Sequence, residues 1–236
     1  MTWVEAAGTG RPSEVAIAGR RACCDRSGVL FFPDDALLVV SDLHLEKGAA
    51  FARRGSFVPP YDTAATLLRL GAVIARYRPK TVISLGDSFH DRRGASEMPG
   101  PFRDELLMLM EGRAWLWVAG NHDPDAPAGV PGETVKEVTW GPLVFRHQPS
   151  VRPAAGEIAG HLHPCARIVQ RGRSVRRRCF ASDGRRLVMP AFGAYTGSLN
   201  VLDRAYAGLF SREALTAYLL GDRGIYAIAG SLLRPG

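Results

Sequence analysis

The stretch Ala36-Leu37-Leu38-Val39-Val40-Ser41-Asp42-Leu43-His44 decides the fold. Its first five residues are continuously apolar, as a strand covered on both faces requires, and the run ends on an Asp-x-His pair. Alternate residues of an extended chain share a face, so Asp42 and His44 can point the same way. Beyond this stretch, Asp62 to Tyr77 places apolar Ala65, Leu68, Val73 and Ile74 among polar residues. That spacing predicts an amphipathic helix, stopped by Arg78-Pro79. Thr81 to Leu85 is a second β-branched run, Pro101 to Met110 a helix opened by proline, and Trp115 to Ala119 a third buried strand. The β-α-β-α-β rhythm predicts a parallel sheet with helices packed on it. Upstream, Glu14 to Asp25 and Gly28 to Phe32 read as short opening strands separated by a turn.

The pattern changes after residue 130. Val135 to Val138, Leu143 to His147, Ile158-Ala159, Ala166 to Gln170, Val175 to Ala181 and Leu187 to Met189 are short runs broken by Gly, Pro and Asp. They predict antiparallel strands, with a hairpin near Arg171-Gly172-Arg173. Two half-chains that each supply a sheet give an α/β fold: a two-sheet β-sandwich flanked by helices. Without a linker, repeat or low-complexity tract, residues 1–236 read as a single domain. Trp3 and the segment after Phe210 (Leu219, Ile225, Tyr226, Ile228) read as an additional strand in preference to an interface.

Among the 236 residues, 46% are hydrophobic and 22% charged, which excludes a disordered chain. No uncharged apolar run approaches the roughly 18 residues of a membrane-spanning helix, so no membrane partner is expected. Met1 to Gly10 lacks the pattern of a secretory signal. Cys23, Cys24, Cys165 and Cys179 form no CxxC pair and read as reduced thiols of a cytoplasmic protein. The charge balance is 30 − 23 = +7, and 27 of the 30 basic residues are arginine. Arginine grips phosphate with two hydrogen bonds, which favours a polyanionic partner. Base composition of the genome explains such a bias equally well, but less readily its clustering: Arg167 to Arg186 holds eight arginines against one acid, Asp183.

Five of the six histidines lie in segments that also carry Asp, Asn or Gly at ligand spacing, each after a predicted strand. These are Asp42-x-His44, Gly86-Asp87, Gly120-Asn121-His122-Asp123, His147 and Gly160-His161-x-His163. Any one alone reads as a turn or a solvated strand end. Together Asp42, His44, Asp87, Asn121, His147, His161 and His163 supply seven oxygen and nitrogen ligands and no thiolate. Such a set suits Mn²⁺, Fe²⁺ or Zn²⁺. Two such ions about 3.5–4 Å apart would clamp the attacking and leaving oxygens of a phosphoryl displacement, and acidify a bridging water to hydroxide.

This ordered set resembles the calcineurin-like binuclear metallophosphoesterase superfamily over roughly residues 36–165. Longer strings resemble its bacterial ligase-associated DNA-damage-response endonuclease branch: Asp42 to Gly48, Phe51 to Gly55, Pro59 to Thr63 and Pro190 to Gly197. This narrower match extends the motif core to about Asp203. The resemblance implies a four-layer αββα fold, a metal-dependent phosphodiesterase that cuts DNA in repair, and accompanying ligase, exonuclease and helicase partners. It implies two divalent ions, Mn²⁺ before Fe²⁺ or Zn²⁺. Asp42, His44, Asp87 and His163 would hold one, and Asp87, Asn121, His147 and His161 the other, with Asp87 bridging. His122 would be catalytic, over the scissile phosphate, as general acid or charge partner. Many members carry a second aspartate three residues after the bridging one; here that position is His90, and Asp91 follows, leaving open which of the two acts there.

Lys47, Arg53 and Arg54 follow the first motif and are expected to hold flanking phosphates. Two other readings stand beside the nuclease: a hydrolase of a small or lipid-linked pyrophosphate, and a non-catalytic scaffold. The first lacks an apolar lid, and the second has no need of seven retained ligands. A homodimer is left open.

Overall fold

The computed structural model describes residues 13–56, 59, 61–152, 154–170 and 172–236. Trp3, Pro60 and Arg171 lie outside them.

The first sheet begins with β1 (Ser13–Ile17) and β2 (Arg20–Cys24), a hairpin closed by Ala18 and Gly19, both at positive φ as a tight two-residue turn requires. It continues through β3 (Leu30–Phe32), β4 (Leu37–Val40), β5 (Thr81–Ser84), β6 (Ala114–Val118) and β7 (Glu133–Val135), in that order across the sheet. Pairing is antiparallel as far as β4 and parallel from β4 to β7. All four residues of β4 are buried, and they alternate as its apolar run requires. Leu37 and Val39 face the second sheet, while Leu38 and Val40 face the helices.

Those helices are α1 (Lys47–Arg53), α2 (Asp62–Tyr77), α3 (Gly94–Glu97) and α4 (Gly100–Met110). The bounds of α2 match the sequence reading, and Arg78 ends it in the left-handed conformation at φ 45°. Its inward face differs from the expectation: Leu67, Leu70, Val73 and Ile74 are buried, whereas Leu68 is 74% exposed and Ala65 is exposed too. With leucines at both 67 and 68, spacing alone chose the wrong one. Burial of Thr63 and Thr66 shifts the inner stripe by one position.

The second sheet contains β8 (Glu137–Trp140), β9 (Leu143–Arg146), β10 (Glu157–Ala159), β11 (Pro164–Gln170), β12 (Arg173–Ser182), β13 (Leu187–Val188), β14 (Leu199–Asn200), β15 (Thr216–Leu220) and β16 (Ile225–Ala229). Its order is β14-β11-β12-β13-β10-β9-β8, with β15 and β16 attached through β12. The expected β11–β12 hairpin is present, and β15 and β16 supply strands after Phe210. Two expectations are corrected. The run Val135 to Val138 is not one strand: β7 ends in the first sheet, and β8 begins in the second after Lys136. The sheet is mixed, because β10 pairs parallel with both β9 and β13, and β11 with β14.

Between the sheets, Val15, Leu37, Ile83, Phe145, Ile158 and Phe180 share one apolar cluster. The rings of Phe32 and Phe145 meet edge to face at 6.0 Å across it. The far side of the second sheet is covered by Val201, Tyr206, Leu209 and Leu215, from a segment whose helical content is one 3₁₀ turn, Arg204–Tyr206. No described helix is long and apolar enough to cross a membrane.

Arg186, counted in the basic cluster by sequence, is 3% exposed and belongs to the interior. Its Nε lies 3.5 Å from Glu157 Oε2, and its two terminal nitrogens donate to the carbonyls of Ser150 and Arg152. Glu157 is 1% exposed and accepts the Ser150 N–H at 2.8 Å. Removing one member strands the other's charge away from water. Glu157→Ala is therefore expected to destabilise the protein by about 3–5 kcal/mol in urea denaturation, whereas the exposed-site change Arg185→Gln should stay within about 0.5 kcal/mol.

Candidate metal and catalytic centre

Parallel pairing explains why distant motifs meet. The carboxyl ends of β4, β5 and β6 lie along one edge of the first sheet and release Asp42, Asp87 and Asn121 there. The carboxyl ends of β9 and β10 release His147 and the pair His161 and His163 from the second. Loop bonds join these exits: His44 N–H donates to Asp87 O at 2.9 Å, and Gly160 N–H to His147 O at 2.9 Å. Asp42, His44, Asp87, His161 and His163 all have φ between 45° and 67°, a region costly for side-chain-bearing residues and concentrated here at one site.

Two glycines make the approach. A Cβ on Gly160 would strike Ser41 Oγ and come within 2.6 Å of Asp42 Oδ2. One on Gly120 would strike the backbone nitrogen and Oδ1 of Asp87 and come within 2.5 Å of Asp123 Oδ1. Because the nearest obstacle at Gly120 is the backbone nitrogen of Asp87, Gly120→Ala must displace the Asp87 loop. Expected is a loss of at least 2 kcal/mol in thermal or urea unfolding together with weakened metal retention.

Two groups of side chains present ligand atoms within 4.8 Å of one another: Asp42, His44 and His163, and Asp87, His147 and His161. His163 Nε2 lies 3.2 Å from Asp42 Oδ1. In the second group His147 Nε2 is 2.9 Å from Asn121 Oδ1, 3.1 Å from His161 Nδ1 and 3.4 Å from Asp87 Oδ2. Asp87 Oδ2 is also 3.9 Å from His44 Nε2, so this carboxylate stands between the groups.

The outer nitrogens fix the rings. His147 Nδ1 donates to Leu85 O at 2.8 Å, leaving Nε2 for the centre. His44 Nδ1 lies 3.2 Å from His90 Nδ1, which turns His44 Nε2 inward. Among the described residues, His44 Nε2 and His163 Nε2 are buried without a hydrogen-bond partner. Orphaned imidazole nitrogens facing buried carboxylates fit divalent cations, which accept their lone pairs. The cysteines lie free elsewhere, so the donor set is oxygen and nitrogen.

Burial works to lower the His147 imidazole, yet its bond to Asp87 and the nearby Asp42 push it up to about 9. Burial works to raise the Asp87 carboxyl, but His147, the His122 N–H and His44 overcome it and hold that group well below its ordinary value. Burial, offset only in part by Asp42 and Asp87, takes His44 down to about 3. The first group thus offers a neutral imidazole, and the second an ion pair whose proton a cation would displace.

His122 is held beside the groups by its backbone. Its N–H donates to Asp87 Oδ1 at 2.9 Å, and its Nδ1 donates to the His90 carbonyl at 2.9 Å. Its ring stacks on His90 at 5.1 Å and meets His44 edge to face at 5.3 Å. The orienting carboxylate implied by the family pattern is thus replaced by a main-chain carbonyl. Asp91 is turned away, in an ion pair with Arg53.

The Arg53 guanidinium is engaged by Asp91 and Glu97 and braces α1 against the segment 91–97. Lys47 donates from Nζ to Tyr195 O at 3.0 Å. The charges of Lys47 and Arg54 both reach His90, which burial and these neighbours bring down to about 4.

Asp123 is the contributor that sequence reading quoted without a role. Its Oδ2 accepts the N–H groups of Ser88 (2.7 Å) and Phe89 (3.0 Å), pinning the loop that carries Asp87. Burial and neighbouring Asp87 push its carboxyl up to about 7 despite those bonds. Its signal was its place directly after Gly-Asn-His.

The family model for calcineurin-like phosphoesterases matches residues 36–175, a span that contains every one of these ligand loops. The chain belongs to the calcineurin-like phosphoesterase family. Like other calcineurin-like phosphoesterases it is a hydrolase. Among solved structures, the Pseudomonas putida nuclease MPE is 25% identical, with a TM-score of 0.71 over 92% of this chain and 100% of that one. Yfce, a phosphoesterase from E. coli, is 18% identical, with a TM-score of 0.40 over 82% of this chain and 98% of that one. Among curated proteins, none matches this sequence.

Proposed function

We propose that the protein is a metal-dependent phosphodiesterase that cuts DNA, acting in DNA repair with ligase, exonuclease and helicase activities. The observation that carries this reading is the Asp87 carboxylate standing between two carboxylate–imidazole groups with His122 beside it. The likeness to a structure described as a nuclease supports DNA as substrate, as do the net charge of +7 and the exposed arginines of β12.

Asp42, His44, Asp87 and His163 would hold one divalent cation, and Asp87, Asn121, His147 and His161 the other, with Mn²⁺ favoured by the mixed ligands. When bound, the pair supplies Lewis acidity to phosphoryl oxygens and lowers the pKa of water. The remaining work falls to the chain. His147 and His44 keep Nε2 aimed inward because their Nδ1 atoms are engaged elsewhere. His122, with Nδ1–H committed to the His90 carbonyl, has Nε2 left to carry a transferable proton. As a water oxygen bonds to phosphorus, releasing a proton to solvent, the far P–O bond breaks and the His122 proton passes to the departing sugar oxygen. Backbone phosphate contacts suffice for such an enzyme, without sequence readout.

The test is nicking of plasmid and of single-stranded DNA with Mn²⁺, before and after removal of metal by a chelator. Expected is Mn²⁺-dependent cleavage, lost with chelator and restored by metal. Turnover of a nucleotide pyrophosphate with no cleavage of DNA or of a simple diester would overturn the reading.

A further inference from the structure

We propose that Arg69 on α2 and Arg178 on β12 together clasp a non-scissile phosphate of the nucleic-acid strand, beside the catalytic centre. The proposal rests on the nuclease reading above and deepens it. Arg69 lies with its guanidinium carbon 4.3 Å from the centre of the Phe192 ring. Among the described residues, its Nε and Nη2 are buried and find no acceptor. Its charged neighbour is not a carboxylate but Arg178, which, after burial itself, lowers the Arg69 guanidinium to about 10. Burial lowers Arg178 as well.

Two partly desolvated cations near each other, one of them with unsatisfied donors, are costly unless an anion completes them. A planar guanidinium on an aromatic face, its N–H edge unspent, is suited to the oxygens of a phosphodiester. The pair is also placed for the purpose. Arg178 Nη1 donates to Ala191 O, the next residue supports Arg69 through its ring, and Phe192 and Gly193 donate their N–H groups to Ser41 and Asp42 carbonyls at 2.8 and 3.0 Å. The arginine pair and the first metal-ligand loop are thus fastened to the same three residues. Arg178 also lines an open cleft of about 520 Å³, walled as well by Arg26, Arg176 and Arg177, with Asp222 as the one acid in its lining. Phosphates following the held one would lie along that cleft.

The experiment compares wild type, Arg69→Gln, Arg178→Gln, the double variant and Arg185→Gln, an exposed arginine that controls for net charge. Each is assayed on an oligonucleotide and on bis-p-nitrophenyl phosphate, a diester too small to reach a second phosphate. Arg69→Lys, which keeps the charge but not the fork, serves if the glutamine variant fails to fold by circular dichroism. For the double variant, KM for the oligonucleotide should rise about tenfold with kcat and small-diester turnover within twofold. The slope of log(kcat/KM) against log[salt] should become shallower by about one per lost phosphate contact. Arg185→Gln should change none of these.

Unchanged KM and salt slope, or equal losses on both substrates, would overturn the subsite while leaving the nuclease reading intact. Altered inhibition by orthophosphate with unchanged oligonucleotide KM would show a free-phosphate site and overturn it as well. A wild type that turns over neither DNA nor the small diester would instead overturn the nuclease reading.

Discussion

Asp87→Asn is expected to lower DNA cleavage by about 10³-fold or more, equivalent to roughly 4 kcal/mol of barrier, and to reduce the metal content of the purified protein. The asparagine keeps the shape of the side chain, and its Oδ1 can still accept the His122 N–H. What it loses is the negative charge standing 3.4 Å from His147 Nε2 and 3.9 Å from His44 Nε2. Asp42 also reaches both groups, with Oδ1 3.2 Å from His163 Nε2 and 3.9 Å from His147 Nδ1, but that His147 nitrogen is spent on the Leu85 carbonyl, and the second Asp42 oxygen is taken by Ser41 and the His161 N–H. Cleavage within tenfold of wild type, with metal content unchanged, would show that the two groups do not share this carboxylate.

His122→Ala should separate chemistry from metal binding. Its ring is outside both ligand groups, so metal content is expected to stay at the wild-type level. Loss of a general acid costs about 10²–10⁴ in kcat, and the cost depends on the leaving group. A sugar alkoxide needs its proton during departure, whereas p-nitrophenolate leaves without one. DNA cleavage should therefore fall about 10³-fold and bis-p-nitrophenyl phosphate turnover only about tenfold. Equal losses on both would assign His122 to charge stabilisation of the phosphoryl group. A variant as active as wild type on DNA would remove it from the mechanism.

Physical reasons decide which features were legible in the sequence. The strand Leu37–Val40 could be read because burial on both faces demands an unbroken apolar run. The ends of α2 could be read because Arg78-Pro79 cannot continue a helix. Its inner face could not, since adjacent Leu67 and Leu68 satisfy the period almost equally and packing chooses. Parallel pairing of two- and three-residue strands such as β10 and β13 leaves no local pattern, and the passage at Lys136 from one sheet to the other looks like uninterrupted strand.

At the centre, the residues that converge were legible because strand ends put Asp, Asn and His in short recurring strings. The partners around them were less so. That His90 orients His122 through its carbonyl could not be read from a side chain, as any residue supplies one. That Arg53 and Arg186 are consumed by Asp91, Glu97 and Glu157 depends on acids up to 44 positions away. The pairing of Arg69 with Arg178 joins a helix and a strand from opposite halves of the chain.

The most direct measurement is electron paramagnetic resonance of the protein titrated with Mn²⁺, read together with the bound-metal stoichiometry. If Asp87 joins two cations, wild type should bind two Mn²⁺ per chain and show a spin-coupled pair signal that Asp87→Asn abolishes. A single uncoupled Mn²⁺ per chain at saturation, the same in wild type and variant, would contradict a shared binuclear centre.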